Sequence, residues 1–245
     1  MMRRVTVDVM DIGLPLVGSL RLPSLVSDQP LTRAFPLRRR LRDGSPVRLR
    51  MMDARDRERL RDGFEHLSPA SRYRRFFTPV PRLTESMLRR LVATDERDHV
   101  AVGAEVGGPS FGRRDGLGVA RFIRSKERPN EAEMAVAVID DMQGRGLGVL
   151  LLQALCWAAR RRGVDRFTAI VLPENDQMRA LVRDIDPDAK VRLGYGLRVY
   201  DMSVPDIALH EIGTGYRRGP VDRVADASEL VLSGMREMLR NLRND

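Results

Sequence analysis

Apolar positions recur at fixed spacing from Val47 onward, and the spacing changes from segment to segment. "PVRLRMM" (46–52) alternates and predicts a first strand. "DARDRERLRDGFEHL" puts Leu60, Phe64 and Leu67 on one helical face, with Asp53 as its cap. "SPASRYRRFF" opens on a second cap, Ser68. "LTESMLRRLVA" opens on a third, Thr84, with Met87, Leu88, Leu91 and Val92 facing inward. Three strands follow at 99–107, 116–125 and 132–140, the first two flanking a turn-rich "GPSFGRRDG". "AEMAVAVID" has the continuous apolar character of a strand buried on both faces.

A glycine segment then runs into "LGVLLLQALCWAARRRG". Leu147, Leu150, Leu151, Ala154, Leu155 and Ala158 keep helical spacing, Arg160–Arg162 suit the helix C-terminus, and Gly163 suits a left-handed cap. "RFTAIVL" (166–172) reads as another buried strand. "PENDQMRALVRDI" reads as a short helix with Met178, Leu181, Val182 and Ile185 inside. "AKVRLGYGLRVYDMSV" reads as two strands around a tight turn. A strand, helix, strand order about the glycine segment implies a right-handed crossover in an α/β fold.

The ends differ. Residues 1–45 lack sustained periodicity and are punctuated by Pro15, Pro23, Pro30 and Pro36, so they read as an N-terminal extension, partly disordered. Residues 46–205 read as the folded domain, and 206–245 as a C-terminal extension carrying an amphipathic helix, "ADASELVLSGMREMLRNLR". No segment resembles an export signal or membrane span, and the single Cys156 rules out an internal disulfide framework. A cytoplasmic protein is expected, with no membrane partner and no metal.

The net charge of +9 comes almost wholly from arginine, since Lys126 and Lys190 are the only lysines. A basic surface attracts polyanions. Aromatics at 5% offer few platforms for stacking bases, and "RRRLRDGSPVRLR" contains no recognised reading motif, so nucleic acid is disfavoured as a partner.

"QGRGLG" (143–148) carries the chemistry. Glycine permits positive φ and close backbone approach, and a helix N-terminus behind such a turn presents amides to a phosphate. Arg145 could add a contact at the edge. A Walker A loop requires Lys-Ser/Thr, but Gly148 is followed by Val149. A dinucleotide fingerprint beginning at Gly146 requires glycine where Leu151 stands.

Gln143, Gly146 and Gly148 meet the Q/R-x-x-G-x-G/A signature of the GNAT acyltransferases. With "AEMAVAVID" before it and "RFTAIVLPEN" after it, the chain resembles a GNAT domain over roughly residues 47–205. With "LSPASRYRRFF" added, it resembles most closely the bacterial protein lysine acetyltransferases of that superfamily. Some of these carry a cyclic-nucleotide domain and others a synthetase-like module; neither is expected in residues 1–45. The resemblance implies the GNAT fold, a mixed and mostly antiparallel central sheet flanked by helices. It implies acetyl-CoA as cosubstrate. Gln143, Gly144, Arg145, Gly146, Leu147 and Gly148 would hold the pyrophosphate. Val136, Val138 and Ile139 would bind pantetheine through their backbone, and Asn175 would face the cofactor.

Amide formation needs a neutral amine, and lysine has a pKa near 10.4. A carboxylate close to the thioester can take the proton. The resemblance implies Glu133 as this base, and Glu133 is the one charged residue among apolar neighbours at 132 and 134–139. Glu131 is the backup, with His99 and His66 behind it. The segment "RALVRDIDPDA" lacks the tyrosine that many GNAT enzymes use to protonate the leaving thiolate. Tyr195 and Tyr200 come later, and the general acid stays unassigned. Arg72, Tyr73 and Phe76 are candidates for lining the acceptor side. The acceptor is expected to be a protein lysine. A small amine, or a non-catalytic acyl-CoA-sensing module, is the alternative.

Overall fold

Side-chain caps fix where the first helices begin. In this computed structural model, which describes residues 31–34, 36–106, 116–194 and 196–213, Asp53 accepts from Arg55 N, and Asp56 closes a capping box over a 3-10 turn at Ala54–Asp56. Helix α1, Arg57–Glu65, continues from that turn. Ser68 accepts from Ser71 N, and Pro69 pre-sets the first turn of α2, Pro69–Phe76. Thr84 accepts from Met87 N at the head of α3, Glu85–Val92. All three caps were legible as sequence.

Eight strands form one sheet in the order β1-β2-β3-β4-β5-β6-β8-β7. They are β1 Leu37–Arg40, β2 Pro46–Met51, β3 His99–Val106, β4 Gly116–Arg124, β5 Glu131–Val138, β6 Arg166–Val171, β7 Lys190–Gly194 and β8 Leu197–Ser203. Only β5 and β6 run parallel; the other pairs are antiparallel, as the expected architecture requires. Helix α4, Leu147–Arg160, makes the crossover between them, and α5, Asp176–Ile185, follows β6.

Residues 37–45 differ from their reading as part of an extension. Leu37–Arg40 pairs with β2 as a short edge strand, and Leu41 is buried. Three arginines in a four-residue strand hide its periodicity, and charged side chains suit a sheet edge. The start of the C-terminal extension is also fastened. Arg39 Nε donates to Ile212 O at 2.5 Å and Nη2 to Leu209 O at 3.0 Å, while Ile212 is fully buried. The amphipathic helix read at 225–243 lies outside the described residues.

Strand alternation divides the sheet into two faces. One carries Leu49, Val102, Ala120, Phe122, Met134, Val136 and Phe167 against α4, whose Leu151 reaches Gly118. Burial nearly all round α4 marks it as the central helix of the core. The other face carries Arg50, Gly103, Val119, Arg121, Glu133 and Ala135 and is covered by α1–α3. There Asp56, fully buried, accepts from Arg50 at 2.6 and 2.9 Å, from Arg33 at 2.8 Å and from Arg59 at 3.0 Å. Burial raises its pKa, yet the hydrogen bonds from Arg50 and from Asp53 N, together with the charges of Arg50 and Arg33, outweigh that and hold its carboxyl down to about 2.

Candidate active site

Strand β5 presents two different edges. Ile139 N donates to Leu117 O, and Glu131 O accepts from Ser125 N, so the odd-numbered residues turn their backbone groups toward β4. Alternation sends the N–H and C=O of Met134, Val136 and Val138 toward β6. Yet β5 and β6 pair only at Glu131↔Arg166, Ala132↔Phe167 and Glu133↔Thr168. The strands then part, and a wedge opens whose wall on the β5 side is backbone. Val136 turns its backbone groups into that wedge and Val138 its amide, while Gln143 takes the Val138 carbonyl. Ile139 departs from the expected backbone contact, because the ladder to β4 takes its amide.

Glu133 stands at the apex of the wedge. Its side chain lies on the face covered by α1–α3 and is 9% exposed. Register puts it in one row with His99, Ile123, Thr168 and Asp201. Thr168 Oγ1 donates to Asp201 Oδ1 at 3.4 Å. Glu131 is two residues nearer the strand start and pairs with Arg128 at 2.9 Å, at the sheet end away from the wedge. His99 is committed elsewhere. Its Nδ1 bonds Ala93 O at 2.8 Å, which makes Nε2 the acceptor facing Arg121 Nη1 at 3.3 Å. Burial first, and then the Arg121 charge, push the imidazole down to about 4. The His66 ring is tied to Asp62 O within α1.

The glycine loop closes the other end of β5. Gly144 and Gly146 adopt φ of +69° and +88°, and Gly146 caps α4 with no side chain accepting from the first turn. The amides at the start of this 14-residue helix are thus open to an anion. A Cβ at Gly148 would come within 3.3 Å of the Leu181 side chain, so α5 packs closely on the loop there. Gln143 Nε2 donates to Val138 O at 3.0 Å and to Asp140 Oδ1 at 3.2 Å, bracing the turn across the strand exit.

Several side chains differ in role from their reading as sequence. Asp140, given no role in the sequence, is structural: its Oδ2 accepts from Ser68 N at 3.2 Å and joins the head of α2 to the loop. Arg145 is half exposed and paired with Asp43 at 3.1 Å. Arg42 escaped notice within the basic run, yet its side chain would be 3.4 Å from a Cβ at Gly146. Asn175 is buried, and its Oδ1 caps α5 by accepting from Met178 N at 3.0 Å. Tyr200 is buried on the α4 face, opposite to Glu133, because Asp201 occupies the Glu133 row. Tyr195 lies outside the described residues. Arg72 holds the carbonyls of Leu67, Glu65 and Pro81, and Phe76 is core, which leaves Tyr73, 45% exposed, as the accessible member of that group.

A parted parallel pair, a backbone-lined wedge, an acid at its apex and an anion cradle beyond it form one continuous site. The profile of the Acetyltransferase (GNAT) family matches residues 64–184. An acetyltransferase of Pseudomonas aeruginosa is 32% identical over 154 residues, covering 60% of this chain and 81% of the relative. The chain belongs to the GNAT family. Acetyltransferase Pat of Mycolicibacterium smegmatis is 30% identical over 228 residues, 92% of this chain, but the chain spans only 65% of that relative's length. Among solved structures, the GNAT domain of S. lividans PAT superposes with a TM-score of 0.62 at 31% identity, covering 70% of this chain and 98% of that domain. Both curated relatives are named acetyltransferases. Among the described residues of this chain no helix is long and apolar enough to cross a membrane.

Proposed function

We propose that this GNAT enzyme transfers the acetyl group of acetyl-CoA to the ε-amino group of protein lysines, in the cytoplasm, with Glu133 as general base. The observation that carries the reading is the buried Glu133 carboxylate at the point where β5 and β6 part. A pyrophosphate would rest on the amides of Gly144–Gly148 at the head of α4, and the pantetheine would lie along Met134–Val138. That path ends at Glu133. The residues fit the cosubstrate, since Gly144 and Gly146 hold the loop at positive φ and no side chain caps the first turn of α4.

In this reading Glu133 takes a proton from the incoming ammonium, directly or through a water. The free amine attacks the thioester carbon, the C–N bond forms, the C–S bond breaks, and the nitrogen releases its second proton to solvent. The pair from that bond leaves on the thiolate, and solvent supplies its proton. The resemblance of "LSPASRYRRFF", "AEMAVAVIDDMQGRGLG" and "RFTAIVLPEN" to bacterial protein lysine acetyltransferases supports a protein acceptor.

The test is acetyl transfer from labelled acetyl-CoA to lysine-containing proteins and to a panel of polyamines, amino acids and aminoglycosides, read by mass spectrometry. Label on protein lysine is expected. Transfer confined to the small amines would replace the acceptor. Acetyl-CoA binding without transfer to either would turn the reading to a sensor.

A further inference from the structure

A second chamber lies under α1–α3. It encloses about 90 Å³ between those helices and strands β2–β5. That is several times the space one water needs. Its walls are mostly apolar, with Leu60, Phe64 and Leu91 from the helical side and Val119 and Ala137 from the sheet.

Arg121 lines this chamber and is 2% exposed. Its Nη1 donates to Leu91 O at 3.0 Å and faces His99 Nε2 at 3.3 Å. Its Nε is buried with no hydrogen-bond partner. A cation with an unused donor in an apolar chamber is costly unless something completes it. Burial, followed by the charge of Arg75, presses on the guanidinium, and Arg75 lines the same chamber at 4% exposure.

The chamber's carboxylates Asp56 and Glu105 serve other arginines. Asp56 takes Arg33, Arg50 and Arg59, and Glu105 takes Arg48 and Arg50. Register also separates Glu105 from Arg121. Glu105 pairs with Gly116, Gly103 with Val119, and Ala101 with Arg121, which puts the two side chains two rows apart.

We propose that this chamber is a carboxylate subsite anchored by Arg121. It takes a carboxylate on a short apolar carbon chain, with the anion on the Arg121 guanidinium and the chain against Leu60, Phe64 and Ala137. Two sources share that chemistry: a free short-chain acid, or the terminal carboxylate of an acyl group on coenzyme A. The second source rests on the proposed acyl-CoA site. It is geometrically reasonable because Ala135 and Ala137, the two β5 residues that follow Glu133 on this face, are small.

Isothermal titration of the full chain tests this with two matched pairs of probes. Butyrate is compared with butyramide, and succinyl-CoA with butyryl-CoA; acetyl-CoA is titrated alongside. In at least one pair the carboxylate member is expected to bind tenfold or more tightly, a difference of about 1.4 kcal/mol. Preference in the butyrate pair identifies a free acid as the source; preference in the succinyl-CoA pair identifies an acyl group. Arg121→Met should abolish the preference. So should Gly63→Leu, which fills the chamber from α1, where a Cβ meets only Gly116 O at 3.7 Å.

Equal binding within both pairs by the wild type overturns the subsite, and so does a preference that survives both substitutions. If circular dichroism shows Arg121→Met unfolded, Gly63→Leu decides alone, and undiminished preference in it overturns the proposal. Acetyl-CoA binding with no carboxylate preference removes the subsite and leaves the acyl-CoA reading intact. Absence of any acyl-CoA binding removes that reading, while the butyrate pair still decides the subsite.

Discussion

Glu133 and Thr168 are the last register pair between β5 and β6, and the sheet opens immediately beyond them. Parallel neighbours diverge here because β5 remains locked to β4 along its length while β6 follows β8. One geometrical event therefore frees the Val136 backbone and the Val138 amide, and sets a buried acid at the apex. A carboxylate acting as base there must matter for transfer and little for donor binding. Glu133→Gln, nearly isosteric, is expected to lower kcat by roughly 10²–10⁴-fold. The acetyl-CoA dissociation constant, measured by titration calorimetry, should stay within about threefold, since amide–phosphate contacts lie elsewhere. An undiminished kcat would remove Glu133 from the proton transfer.

Gly146 tests the cradle separately. A side chain at φ +88° is strained by about 1–2 kcal/mol and would lie against the Arg42 side chain. Gly146→Val is expected to weaken acetyl-CoA binding tenfold or more. Gly163→Val supplies the control, with φ +74° at the far end of α4 and nothing within 4 Å of its Cβ. It should show a comparable loss of stability with unchanged acetyl-CoA affinity. Equal affinities in both variants would mean that the loop does not hold the cosubstrate.

The sequence made the caps at Asp53, Ser68 and Thr84 legible because each is a local event with its own residue signature. The α4 core stripe and the glycine loop were legible for the same reason. What escaped depends on pairing at a distance. Strand β1 reads as a run of arginines, and only its ladder with Leu49 and Val47 makes it a strand. Arg42 reads as one charge among many until the hairpin turn brings it to Gly146. Ile139 looks equivalent to Val138 as a residue type, and only the direction of its amide separates them. Tyr200 likewise lies on the wrong face by a single step of the strand period.

His99 should give a distinct signature in stability against pH. Its ring is pushed from 6.5 to about 4 by burial and by Arg121, so the folded chain resists a proton that the unfolded chain accepts. The contribution is complete above about pH 6.5 and is lost as pH falls toward 4. Urea unfolding of the wild type should show stability declining across that window. In His99→Gln, whose amide oxygen can accept from Arg121, the slope there should flatten. An unchanged slope would mean that His99 is not the titrating group.

Asp56 governs a lower window. It is the shared counter-ion of Arg50, Arg33 and Arg59, and it also accepts from Asp53 N at 3.1 Å. Removing its charge strands Arg50, itself 6% exposed, with only Glu105 at 3.3 Å as an acidic partner. Breaking one member of a buried pair costs about 3–5 kcal/mol, so Asp56→Asn should lower the unfolding free energy by that order at neutral pH. The carboxyl is held at about 2, below its unfolded value, so its contribution is present above the unfolded pKa of about 3.9 and is lost as pH falls through 2. The gap between wild type and variant should therefore be constant from pH 7 to about 5 and close as pH approaches 2. A gap that persists at pH 2 would assign the loss to packing instead of charge.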